Sequence, residues 1–274
     1  SNSWTITFNS DLEALGRIEN SDSARGNRRI LSITEFRKAL SLSLDRAYIG
    51  SNILAGSAAA YSFINNNYYY DMENDPNSIY RNSEQAMSAI VRLYGIEYGA
   101  DKTYKTLEEA YRAVSGYDID QAKANFQTAY DKATDQGIYT DGQNIQINIY
   151  NNSVTTQLTA LESYMQRQVD LATEGTPLAD KITITFRARQ SGRYDDISNG
   201  NIEAIYYSYS GDYNDPNGML GQYADPDEAQ YMLEYGFNPT RETFSITCDF
   251  DGDGDEETET NTYQYWYQST TASG

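Results

Sequence analysis

The sequence predicts an α/β fold: an open sheet with a β-α-β-α-β core and an added helical subregion. The first observation behind this is a change of rhythm between about residues 144 and 210. "NIQINIYN" alternates isoleucines like a strand, and "VTTQLTALESYMQRQVDLATEG" has the spacing of an amphipathic helix. "DKITITFRAR" is a second strand, "YDDISNG" a short helix or turn, and "NIEAIYYSYS" a third strand. Strands that alternate with helices argue for a parallel sheet with helices packed on it. The second observation is a run of capped helices upstream. The third is bulk: 274 residues, 39% hydrophobic and 13% aromatic, supply a core for one large domain or two small ones.

In chain order, "WTITFN" (4–9) alternates like a strand, and "SARGNRR" (23–29) reads as a polar loop. "SITEFRKALSLSLDRAYI" opens with a capping box, Ser32 at the cap and Glu35 three residues on. Phe36, Leu40 and Leu44 then recur at helical spacing. Residues 58–82 form a long loop rich in Asn and aromatics, and long ordered loops often carry function or cover a core. Helices are expected from Ser83, from Thr106 and from Asp118, the last stopping at Gly137. Near the end, "TFSITC" and "TETNTYQYW" read as strands flanking the acidic run "DFDGDGDEETET".

Composition narrows the function. With 20 Lys+Arg against 40 Asp+Glu the net charge is −20, so nucleic acid and anionic membrane surfaces are disfavoured partners. A cationic ligand or a divalent metal suits such a chain better. There are 26 tyrosines, and Tyr serves wet ligand surfaces as well as cores. Histidine is absent, which removes His-based acid–base catalysis, Ser–His and Cys–His pairs, and most zinc or nickel sites. The lone Cys248 permits no intrachain disulfide. No run approaches 18 apolar residues, and "SNSW" has neither a basic nor an apolar leader region. Ser1 and Asn2 read as an expression scar, residues 3–274 as one domain, and any export signal as lying outside the sequence.

Ligands of open α/β sheets sit at the carboxyl ends of strands. Asp212 stands just past the third strand of the core, in "IYYSYSGDYNDPNGML". It is open to four readings: turn former, catalytic acid, metal ligand, or clamp for a positive group. Asp249, Asp251, Asp253, Asp255 and Glu257, with Gly254, fit a D-x-D-x-D-G calcium loop. The twelfth position is Thr260 rather than Glu, so the bidentate ligand is missing, and a solvated hairpin tip is the competing reading. No pair of acids has the apolar setting that raises a general acid's pKa, which argues against a glycosidase.

Three segments carry a family resemblance. "FRKALSLSLDRAYI" (36–49) followed by "AYSFI" (60–64) looks like the helix that opens the second lobe of bacterial oligopeptide-binding proteins. "GYDIDQAKANFQTAYDKA" (116–133) resembles their "YDP-x-KAK-x-LL" helix, with Ile119 where proline is usual. "SYSGDYNDPNGML" (208–220) resembles their "W-x-ADY-x-DP-x-x-x-L" motif, with Tyr209 in the Trp place and Gly211 in the Ala place. The chain thus resembles the second lobe of family 5 extracellular solute-binding proteins of ABC importers.

The resemblance implies a periplasmic-binding-protein-like lobe of type II, part of a two-lobe monomer that closes on its ligand. It also implies an extracellular protein, lipid-anchored at a Gram-positive cell surface, that serves an importer's membrane subunits and is no enzyme. Its oligopeptide would pair with the backbone of Ser208, Tyr209 and Ser210. Asp212 would meet the peptide's amino terminus, with Tyr213 and Asn214 close by. No cofactor is implied, calcium at the acidic loop apart. An oligosaccharide ligand and a calcium-dependent adhesive module are the alternatives.

Overall fold

The computed structural model of the protein describes residues 3–22, 26–62, 64, 65, 67–209, 243–250 and 252–271. Ser210, Asp212, Tyr213, Asn214 and Asp251 lie outside the described residues.

Four strands form the central sheet: β1 (Ser3–Phe8), β2 (Ile145–Asn151), β3 (Ile182–Ala188) and β4 (Ala204–Tyr209). Their order is β1-β4-β2-β3. β2 runs parallel to β3 and β4, and β1 closes the other edge antiparallel to β4. The predicted β-α-β-α-β core is therefore present, with α7 (Thr156–Thr173) and α8 (Arg193–Ser198) as its connecting helices.

The period-two pattern assigns the two faces of the sheet. Ile145, Ile147 and Ile149 join Ile182, Ile184, Phe186, Ala204 and Tyr206 in the main core. That core is covered by α2 (Thr34–Leu42), α6 (Ile119–Asp135) and α7. Ala122, Ala129 and Ala133 are fully buried along α6 and let α2 approach closely, with Phe36 edge-on to Phe126 at 5.4 Å. Ile205 and Tyr207 face the other way and pack with Ile64, Tyr68, Ile197 and Ile202. The long aromatic loop thus covers the second face of the sheet, and Tyr68 is fully buried there. The helical subregion, α4 (Glu84–Leu93) and α5 (Leu107–Arg112), has a small core of Val91, Leu107, Ala110 and Val114.

Most helix starts follow the expected chemistry. Ser83, Thr106, Asp118 and Thr155 accept the N–H groups of Ala86, Glu109, Gln121 and Leu158, and Asp11 does the same for Ala14 of α1 (Leu12–Ser21). Gly137 ends α6 with φ +67°, a conformation that glycine adopts without a Cβ penalty.

Two expectations fail. Ser32 does not cap α2, because it already belongs to a 3₁₀ turn over Arg29–Ser32, where its hydroxyl donates to Arg29 O at 2.7 Å. Ile33 stands at the cap without a side-chain bond, and Glu35 instead pairs with Lys132 at 2.7 Å. That hydrogen bond lowers the Glu35 pKa. The second failure is "TETNTYQYW". The hairpin β5 (Thr243–Cys248) and β6 (Glu257–Thr262) stops at Thr262, whose hydroxyl accepts the Tyr265 N–H and starts α9 (Tyr263–Thr271). Trp266 of α9 stacks on Phe250 at 5.7 Å and donates Nε1–H to Phe244 O.

Candidate functional site

The crevice between β4 and β2 organises the polar chemistry. The ladder joining them has only two pairs, Ile149 with Ala204 and Tyr150 with Ile205. At its amino end the place beside β2 is taken by residues 26–28. Asn27 N–H donates to Asn144 O, and Gln146 N–H donates to Asn27 O. Gly26 is required there, since a Cβ would meet the Gln146 Cβ at 2.7 Å. The supposedly polar loop thus enters the sheet, and Asn27 and Arg28 are buried.

Arg28 is neutralised in place. It pairs with Asp22 and, at 3.5 Å, with Glu203, which is equally buried. Glu203 also accepts the backbone N–H of Asn148 at 2.9 Å and its side-chain Nδ2–H at 2.7 Å. A side chain here completes the ladder that the start of β4 leaves unmade. Buried charges persist only when paired and hydrogen-bonded, and these are. This end is structural.

The carboxyl end is different. Trp4 lies opposite Ser208 in the β1–β4 register and stacks on Tyr206 with ring centroids 5.1 Å apart. Trp4 remains 53% exposed. Beside this stack is a cavity of about 280 Å³ lined by Leu54, Asn151, Thr155 and Gln157 among others. Aromatic faces with a few amide and hydroxyl groups suit recognition of a polar organic ligand. The volume holds a residue or two rather than a whole oligopeptide. Burial pushes the Tyr206 hydroxyl above its ordinary pKa, so it stays neutral.

A hollow of similar volume lies between Asp45, Tyr48, Tyr117, Tyr164, Arg167 and Gln168. Much of its polar capacity is spent internally. Asp45 caps the short helix α3 (Arg46–Tyr48) by accepting the Tyr48 N–H, Tyr164 accepts the Asp45 N–H, and Tyr117 donates to Gln168. It lies off the strand ends, so the carboxyl-edge cavity is the stronger candidate.

Of the residues expected at the site, Ser208 and Tyr209 end β4 at this edge, and Tyr209 pairs with Ser3. Ser210, Asp212, Tyr213 and Asn214 are outside the described residues. Trp4, Tyr206 and Asn151 escaped sequence reasoning, because Trp4 sits about two hundred residues from Tyr206 and about one hundred and fifty from Asn151, and only the packing of the sheet brings them together.

In the acidic loop, Asp249 accepts the N–H groups of Gly252, Asp253 and Gly254. Asp253 accepts from Asp255, and Glu257 accepts from Phe250. These carboxylates tie the turn to itself. Among the described residues no group of three or more acidic or sulfur ligands converges on a common point.

A sequence profile of the bacterial extracellular solute-binding proteins, family 5 Middle, matches residues 1–231. The chain belongs to this family. No curated protein sequence matches it. Among solved structures it resembles the peptide-binding protein of a peptide ABC transporter, at 20% identity over 86% of this chain and 78% of that one, TM-score 0.46. It also resembles Haemophilus influenzae OppA in complex with the peptide RPPGFSPFR, at 17% identity over 87% and 34% of the two chains, TM-score 0.48. The pheromone receptor PrgZ, a peptide-binding protein, matches at 14% identity over 88% and 36%, TM-score 0.52. At such identities the likeness concerns the fold. The chain thus spans about a third of the length of these last two proteins. As a family 5 member it has the fold of extracellular solute-binding proteins, a family of binders rather than enzymes.

Proposed function

We propose that this chain is the ligand-binding lobe of an ABC importer's receptor and that it captures oligopeptides against a facing lobe. The carboxyl-edge cavity beside the end of β4 carries the reading, because it lies where an open α/β sheet meets its ligand. Family membership and the fold shared with a peptide-binding pheromone receptor support it. In this reading the backbone of Ser208, Tyr209 and Ser210 pairs with the peptide as an added strand does. The Asp212 carboxylate takes its amino terminus, with Tyr213 and Asn214 adjacent. A charge-assisted bond in a closing, partly dry cleft gives that pair its strength. Backbone pairing reads any sequence, which suits a nutrient receptor. Lipid anchoring and docking on membrane subunits belong to the same proposal.

One observation favours a sugar ligand instead: the exposed Trp4 face, stacked on Tyr206 and flanked by Asn151 and Gln157, is a platform a pyranose could use. Calorimetry separates the two, on a chain long enough to include the facing lobe. Peptides of about three to six residues with free amino termini should bind, and their N-acetylated forms should not. Asp212→Ala should weaken binding by at least about a hundredfold, as an unpaired buried charge demands. Binding of oligosaccharides alone, abolished by Trp4→Ala, would replace the peptide reading with the sugar one.

A further inference from the structure

We propose that Glu162 and Gln166 of α7 occupy the free edge of β3 as a strand would, and so keep a second copy of this chain from adding to the sheet there. The proposal concerns the far edge of the sheet and holds whatever the ligand is.

β3 is the last strand in the order β1-β4-β2-β3, so one of its sides meets no strand among the described residues. Backbone groups of successive strand residues point to opposite sides. Lys181 O accepts the Ile145 N–H and Asn151 O accepts the Arg189 N–H, so the odd-numbered residues turn toward β2. Ile182, Ile184 and Phe186 therefore turn their N–H and C=O groups outward. Such a row is a template for another strand. Residues 182–186 are β-branched or aromatic throughout and include neither proline nor charge. Two copies could pair antiparallel about Ile184, each presenting the same groups to the other.

The edge is filled from within the chain instead. Gln166 Nε2–H donates to Ile182 O at 2.9 Å, and Gln166 Oε1 accepts the Ile184 N–H at 3.0 Å. In a parallel ladder one residue of the neighbouring strand donates to residue i−1 and accepts from residue i+1. The Gln166 carboxamide makes that pair of bonds about Thr183. One helical turn earlier, Glu162 accepts the Phe186 N–H. One turn later, Asp170 accepts from Gln166 at 2.8 Å and fixes the amide's orientation. Glu162, Gln166 and Asp170 thus form one stripe at i, i+4 spacing. Leu161, Met165 and Val169 anchor the helix beside that stripe in the main core. Water could bond an open edge about as well, so the bonds themselves add little stability. They differ from water in exclusion: an arriving strand must first pull these side chains away from a packed helix.

The test is sedimentation velocity of the 274-residue chain over a concentration series, with amide hydrogen exchange at Ile184 and Phe186. Alanine is the replacement, since it favours helix and adds no large apolar surface. Glu162→Ala with Gln166→Ala should self-associate at least about tenfold more strongly than wild type. In dilute solution its Ile184 and Phe186 amides should exchange at least about tenfold faster, and protection should return as the copies associate. Adding Thr183→Lys, a charge on the exposed side of the edge, should restore the wild-type association state. Glu162→Gln keeps an acceptor for Phe186 and should behave as wild type. A folded double variant that associates no more than wild type overturns the proposal. So does association that survives Thr183→Lys and leaves Ile184 unprotected, because the contact then lies elsewhere. If the double variant does not fold, Gln166→Ala alone decides, and wild-type association together with wild-type Ile184 exchange overturns the proposal.

Discussion

The two ends of the crevice between β4 and β2 handle an arginine in opposite ways. At the amino end Arg28 is buried, doubly paired with acids, and surrounded by satisfied amides. At the carboxyl end Arg193 is fixed by an amide and a phenol, and an exposed Trp4 stands on Tyr206 beside a cavity. One end is closed to ligands by its own chain, because residues 26–28 occupy the sheet position there. The other is left polar, aromatic and concave. A charge's partners, more than its sign, separate the closed end from the open one.

The contrast is broken most strongly at Glu203. Glu203→Leu leaves Arg28 with Asp22 alone and strands two Asn148 donors, and should cost about 3–5 kcal/mol in urea unfolding. Glu203→Gln keeps an acceptor for Asn148 and should cost less. If both cost under about 1 kcal/mol, the amino end is not the structural lock described.

Gly26→Ala tests the plug itself. The added methyl would press on the Gln146 Cβ at 2.7 Å and its backbone N at 3.2 Å, so a shift of the sheet is needed. The expected loss is roughly 1–3 kcal/mol. Ligand binding at the far end should survive in the folded fraction. Wild-type stability in this variant would mean that residues 26–28 lie loosely on β2.

The smallest effect comes from Tyr139, beside the amino end, whose hydroxyl donates to Gln143 O at 2.6 Å. Burial pushes its pKa up to about 12. The fold therefore holds the neutral phenol, and its contribution is complete below the ordinary tyrosine value. It is lost as pH rises through about 12. Tyr139→Phe should cost about 1 kcal/mol near neutrality and flatten the fall in stability above about pH 10. An unchanged alkaline slope would show that Tyr139 is not held as described.

Much of the fold was legible because it is written in local chemistry. Alternating isoleucines gave β2, Ser83, Thr106 and Asp118 gave three helix starts, and the strand–helix alternation gave the parallel core. The Ser32 box misled because capping chemistry is the same whether or not the preceding residues already turn. "TETNTYQYW" misled because a threonine cap inside a β-branched run looks like more strand.

The strands, most helix caps and the family motifs can be read along the chain, since each depends on neighbours within a few positions. It also placed the end of β4 at the carboxyl edge, where Ser208 and Tyr209 lie. Long-range packing is what brings Asn27 and Arg28 into the sheet, sets Glu203 to complete a ladder, and joins Trp4 to Tyr206. It alone decided that Arg193 meets Asn152 and no acid among the described residues. Burial and pairing of a charge are set by segments far apart in sequence, whose meeting depends on strand register rather than on any local pattern.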